Sequence, residues 1–126
     1  MLNMFAVAIG AALGANLRYL ISTWVAQRVG SGFPYGTLLI NVTGCLVIGV
    51  VLTLAATKFT LSEPLRLLIV TGILGGYTTF SSFGYEAFAL IGSGNIEEAI
   101  LYMTSSLALG LGAVFLGSLL VRVVWG

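Results

Sequence analysis

The 126-residue chain has no histidine and no aspartate, a single cysteine, two prolines, and only five basic and four acidic residues. Without His or Asp, and with Cys45 alone in an apolar run, neither a zinc site nor a Ser-His-Asp or Cys-His catalytic unit can be assembled. Cys45 reads as a small packing residue, because apolar burial suppresses the thiolate. A net charge of +1 with no basic cluster gives nucleic acid no electrostatic footprint. Charged residues make up 7% of the chain, too few to cover the surface of a soluble globule. No Lys or Arg precedes Arg18, so the first apolar stretch lacks the charged start of a cleaved signal peptide. It reads as a retained membrane helix of a chain that is itself the mature protein.

What fills the chain instead is apolar side chain, 59% of all residues, with a mean hydropathy of +1.11. This composition predicts an all-α integral membrane protein of one domain. Crossing the hydrocarbon core takes about 20 mostly apolar residues. Four stretches qualify, residues 4–26, 35–57, 65–90 and 99–125. Short connections rich in breakers join them: Gly30 to Pro34, Lys58 to Pro64 and Gly92 to Asn95. Trp24, Tyr35, Tyr102 and Trp125 fall near predicted helix ends, where interfacial aromatics anchor.

Four spans put both termini on one side, together with Lys58, Arg66 and Arg122. Arg28 lies on the other side and Arg18 at intermediate depth. So slight a bias specifies orientation weakly, and either topology, or both, is open.

Small residues recur at helix-face spacing: Ala6, Gly10 and Gly14 in the first span, Thr37 and Gly44 in the second, and Ser106, Gly110, Ala113 and Gly117 in the fourth. In lipid such faces let backbones approach closely. Four short helices have little room to enclose a polar pathway and bury every face, which predicts a homo-oligomer. Two-fold dimers are the commonest kind.

The third stretch carries Gly75-Gly76-Tyr77-Thr78-Thr79-Phe80-Ser81-Ser82-Phe83-Gly84, where a lipid-facing helix would carry Leu and Val. Non-helical backbone at membrane depth is tolerated only where protein or water satisfies it, so a break over residues 75–79 predicts a binding site or pore. Phe80 and Phe83 are three apart and project from one face, with Thr79 and Ser82 on a neighbouring one. Core packing is one reading of the two rings. The other is that their electropositive edges, beside hydroxyl and amide donors, replace the water of a small anion.

Three further polar residues within spans bear on the site. Arg18 follows Gly14 by four residues and so shares the packed face of the first helix. It reads as structural, bracing Glu86, a backbone carbonyl or a water-filled vestibule, since a fixed guanidinium would hold an anion too tightly for passage. Glu86, the only acidic residue inside a predicted span, reads as structural too. Asn41, with Thr37 one turn before it, either bridges helices or offers its amide to a permeating anion. The stretch from residue 65 to 90 has its midpoint at Tyr77 and Thr78, so its freed carbonyls belong near the bilayer midplane. Were two subunits paired antiparallel, a two-fold axis there would double those carbonyls into a cluster suited to a hard alkali cation.

The run from Gly75 to Phe83, with Glu86 after it, resembles the GGxTTFSTF signature of the Fluc (CrcB) fluoride channels. Gly14-Ala15-Asn16-Leu17-Arg18-Tyr19 and the run from Pro34 through Gly36, Thr37 and Leu38 to Asn41 resemble that family's GAxxRW/Y and PxGTLxxN elements. The resemblance extends over essentially the whole chain. It implies a dual-topology homodimer of antiparallel subunits in the cell membrane, with two pores at the subunit interfaces and passive, selective F⁻ export. It further implies that Asn41 faces the pore, that Phe80 and Phe83 line it, and that Gly75 and Thr78 carbonyls hold a structural central Na⁺. Thr79, Ser81 and Ser82 would supply nearby hydroxyls, joined by Thr37 and Tyr102, with Ser106, one turn after Tyr102 on the fourth-helix track, a structural polar residue. The chain departs from the pattern with Ser82 where Thr is usual and with Gly110 at a polar-track position. The alternative is a proton-coupled exporter resembling the small multidrug resistance proteins, but these depend on a Glu in the first helix, where this chain offers only Arg18. An intramembrane enzyme has no plausible catalytic pair.

Overall fold

The computed structural model describes residues 1–125. Backbone polar groups in lipid must be satisfied by the protein itself, which a helix does within its own segment, and the four apolar stretches accordingly all coil into helices long and apolar enough to span. The first is α1, Leu2–Val29, and the second is α2, Tyr35–Thr57. The third span covers Glu63–Gly92 and is a composite of α3 (Glu63–Arg66), a π-helical segment (Leu67–Leu74), α4 (Gly75–Tyr77) and α5 (Phe80–Gly92). The fourth is α6, Ile96–Trp125. α1 ends where Gly30 takes φ +88°, a conformation glycine reaches without steric cost, while its N–H still bonds the Ala26 carbonyl at 3.0 Å.

The third span differs in detail from the expectation of a break over residues 75–79. Gly75, at φ −65° and ψ −36°, is helical, as are Gly76 and Tyr77. Only Thr78 (φ −79°, ψ 157°) and Thr79 (φ −150°, ψ 120°) are extended, before α5 resumes. The eight residues before Gly75 are wound as a π-helix, which the unbroken apolar run Leu67-Leu68-Ile69-Val70 does not announce.

Two close seams organise the helices. α1 packs chiefly on the π segment and α4, and α2 chiefly on α6. In the first seam a Cβ at Gly10 would strike the Leu68 carbonyl, one at Gly14 the Ile73 carbonyl, and one at Gly76 would lie 2.6 Å from the Ala11 carbonyl oxygen. In the second, Gly49 lies against Val114 and Gly117 against the Leu46 carbonyl. This is backbone-to-backbone packing of the kind that holds helices together in lipid. Long apolar side chains such as Leu13, Leu111 and Phe115 point outward.

Candidate functional site

The interruption at Thr78–Thr79 decides where the polar groups go. In a continued helix the Thr79 N–H would bond the Gly75 carbonyl. Here it bonds Asn41 Oδ1 at 2.8 Å, while Asn41 Nδ2 donates to the Thr79 carbonyl at 3.0 Å. Asn41 thus serves the backbone as a second peptide group would, and the Gly75 carbonyl loses its helical donor. Thr79 Oγ1 accepts from the Ser82 N–H at 3.2 Å, the N-cap that restarts α5, and also donates to Ser82 Oγ at 3.1 Å. Ser81 is exposed, its Oγ 3.4 Å from Thr79 Oγ1.

Arg18 and Glu86 are not partners. Arg18 Nη1 is directed to the Thr78 carbonyl at 3.5 Å, the long limit of a hydrogen bond. Glu86 is held instead by two hydroxyls: Thr37 donates to Oε1 at 2.8 Å and Tyr102 to Oε2 at 2.7 Å. Tyr102 is fully buried. Distance along the third span explains the mismatch, since Arg18 reaches the end of α4 whereas Glu86 sits two turns into α5.

Thr37 and Asn41 on α2, Glu86 and Phe83 on α5, and Tyr102 and Ser106 on α6 each lie about one turn apart, so three helices present their polar residues to one seam. A cavity of about 540 Å³ opens at its outer end, lined by Ser22, Gly36, Thr37, Glu86, Ser93 and Asn95 among others. A second, of about 360 Å³, lies against the interruption and is lined by Asn41, Cys45, Gly75, Thr79, Phe80 and Ser106 among others. Between these levels Phe83 stacks on Tyr102, with ring centroids 5.2 Å apart. Phe80 stands 5.6 Å from Phe83 and is 83% exposed, an open ring over the second cavity. Ser106 Oγ is buried there without a hydrogen-bond partner.

Two contacts escaped the sequence reading. Thr43 Oγ1 lies 2.8 Å from the Tyr77 hydroxyl, and the Gly44 backbone makes room for the Thr78 methyl. Thr43 follows Asn41 by two residues, off the Thr37–Asn41 stripe, so helix periodicity alone gives no reason to pair it with the third span.

The fold and seam define a four-span membrane protein whose uncharged donors gather at an interruption in the third span. Residues 5–118 match the family model for CrcB-like protein, Camphor Resistance (CrcB), and the chain belongs to that family. It is 60% identical over 115 residues to a fluoride-specific ion channel of Chloroflexus aurantiacus, with 91% of each chain covered. It is 55% identical over 123 residues to one of Roseiflexus sp., covering 98% of this chain and 99% of the other, and 43% identical over 124 residues to one of Rhizobium etli, with the same coverage.

Proposed function

We propose that this chain forms a fluoride-selective channel that passively exports F⁻ across the cell membrane. The observation that carries the reading is the seam at the interruption: hydroxyls and two phenylalanines line it, while the basic group at this level, Arg18, is turned to the Thr78 carbonyl. A small, strongly hydrated anion can exchange water for O–H and N–H donors and for electropositive ring edges, and no cationic side chain is aimed at it to trap it. Asn41 retains one amide N–H beyond its two backbone bonds, Ser106 has an unpartnered hydroxyl, and Ser81 and Ser82 supply further hydroxyls, with Thr79 Oγ1 donating to Ser82 in support. Thr37, Glu86 and Tyr102 shape the entry.

The working unit in this reading is an antiparallel homodimer of dual topology with the break at mid-membrane. An open Phe80 ring and a cavity walled on one side are the features a second copy would complete. Feeble charge asymmetry permits both insertions. A structural Na⁺ at the two-fold axis would be held by the Gly75 and Thr78 carbonyls of both copies. The chain's groups fit it: the Gly75 carbonyl has lost its helical donor, and the 3.5 Å Arg18 contact to Thr78 is too long to saturate that oxygen. Such an ion would supply fixed positive charge that orients the carbonyls.

The test is efflux from liposomes loaded with purified protein. Release of F⁻ but not Cl⁻ without a proton gradient is expected. A requirement for a proton gradient would favour the small multidrug resistance-like exporter instead.

A further inference from the structure

Resting on the fluoride-channel reading, we infer that Thr43 and Tyr77 are positioning residues, a hydroxyl latch that sets the rotation of the last helical turn before the break and thereby aims the conducting segment.

Residues 41–44 of α2 form a mould for residues 77–79 of the third span. Asn41 takes the Thr79 backbone, Thr43 takes the Tyr77 hydroxyl, and Gly44 leaves the space that the Thr78 methyl occupies. The Gly44 contact also accounts for the residue type, because a Cβ there would collide with that methyl and come within 3.4 Å of the Tyr77 ring. The direction of the latch follows from counting protons. Thr43 Oγ1 lies 2.7 Å from the Leu39 carbonyl and 3.2 Å from that of Ile40, so its one hydrogen is committed within α2. The Tyr77 O–H is therefore the donor, and Thr43 Oγ1 the acceptor. Tyr77 is only 7% exposed, so a phenol deprived of that acceptor would be stranded away from water.

Asn41 fixes the extended step and the α1 backbone backs Gly76, but neither grips the side of the last turn that faces α2. Tyr77 closes α4, and tying its ring to α2 supplies that further point, which fixes how Gly75 to Thr78 are turned about the helix axis. The carbonyls of this turn and the exit direction towards Phe80 follow from that rotation. The phenol–threonine pair has no part in contacting the ion.

The experiment compares fluoride efflux of reconstituted wild type, Thr43→Val, Thr43→Ser, Tyr77→Phe and the Thr43→Val/Tyr77→Phe double variant, with unfolding midpoints recorded in parallel. Thr43→Val strands the phenol donor and is expected to slow efflux about tenfold. Thr43→Ser keeps the acceptor and should run at the wild-type rate. Tyr77→Phe should slow efflux by less than Thr43→Val, and the double variant should recover to the Tyr77→Phe level, since removing both partners strands nothing. If Thr43→Val does not yield folded protein, slowed efflux in Tyr77→Phe carries the test. Wild-type rates in Thr43→Val and Tyr77→Phe, failure of Thr43→Ser to rescue, or multiplication of the two single effects would overturn the latch. Failure of wild type itself to release F⁻ would overturn the channel reading, and the latch with it.

Discussion

Asn41 and Thr79, 38 positions apart, are joined by two hydrogen bonds: the 2.8 Å bond from the Thr79 N–H replaces the helical bond lost where the third span unwinds, and the 3.0 Å bond to its carbonyl adds to the first helical bond of α5. One side chain therefore satisfies both polar groups of an extended residue that is itself only 8% exposed. Asn41→Leu leaves the Thr79 N–H without its partner, and a buried unsatisfied backbone group costs about 1–3 kcal/mol. Asn41→Asp keeps an acceptor for the N–H but sets a second oxygen against the Thr79 carbonyl. Both variants are expected to lower the unfolding midpoint and to abolish fluoride efflux. A wild-type midpoint in Asn41→Leu would show that the interruption is held by other means.

The spans were legible in the sequence because hydropathy and length decide them. The break was legible as a region but not to the residue, because Gly75 and Gly76 signal helix weakness while both stay helical, Gly76 with the α1 backbone packed against it. The π segment was not legible. Leu67-Leu68-Ile69-Val70 is an apolar run with no local mark of either winding, and its segment lies against Gly10 and Gly14, some sixty residues away. Of the polar residues, Arg18 and Glu86 were singled out by their cost in lipid, but opposite charge suggested a pair where the fold supplies a carbonyl and two hydroxyls. Charge complementarity names candidates, and depth along the helix selects among them.

Phe80 and Phe83 are expected to separate function from folding to different degrees. Phe83 packs on Tyr102, and an aromatic pair contributes about 0.5–1.5 kcal/mol beyond its buried area, so Phe83→Ile should lower the unfolding midpoint modestly. Phe80 has no such partner on α6 in its own chain, and Phe80→Ile should leave the protomer's packing intact. Loss of an edge-on contact with the anion, at about 1.4 kcal/mol, corresponds to about tenfold slower efflux in each variant. Unchanged efflux in both would remove the ring-edge account.

Gly14 carries the tightest approach of α1 to the third span, its Cα facing the Ile73 carbonyl. Gly14→Ala puts a methyl where backbone already stands, and neither helix can give way by turning a side chain. Overpacking costs about 1–3 kcal/mol, and backbone collisions lie at the upper end. The expected result is poor recovery of monodisperse protein. Gly92→Ala meets nothing within 4 Å and serves as the control. Equal recovery of the two would mean that the seam is looser than its geometry.

Sodium dependence tests the carbonyl cluster apart from the anion pathway. If the Gly75 and Thr78 carbonyls of two copies hold Na⁺, then Na⁺ binds the assembled form and stabilises it by mass action, by about 2.7 kcal/mol at a hundredfold excess over its dissociation constant. Adding NaCl to protein in a bulky organic cation should therefore raise the unfolding midpoint, and adding the organic cation's own chloride at equal ionic strength should not. Fluoride efflux should fall in medium free of Na⁺ and Li⁺ and return when Na⁺ is restored. Asn41→Asp, which disturbs the interruption that releases the Gly75 carbonyl, should also weaken the Na⁺-dependent rise. Full efflux without Na⁺, together with a midpoint indifferent to it, would leave those carbonyls to water and to the Arg18 guanidinium.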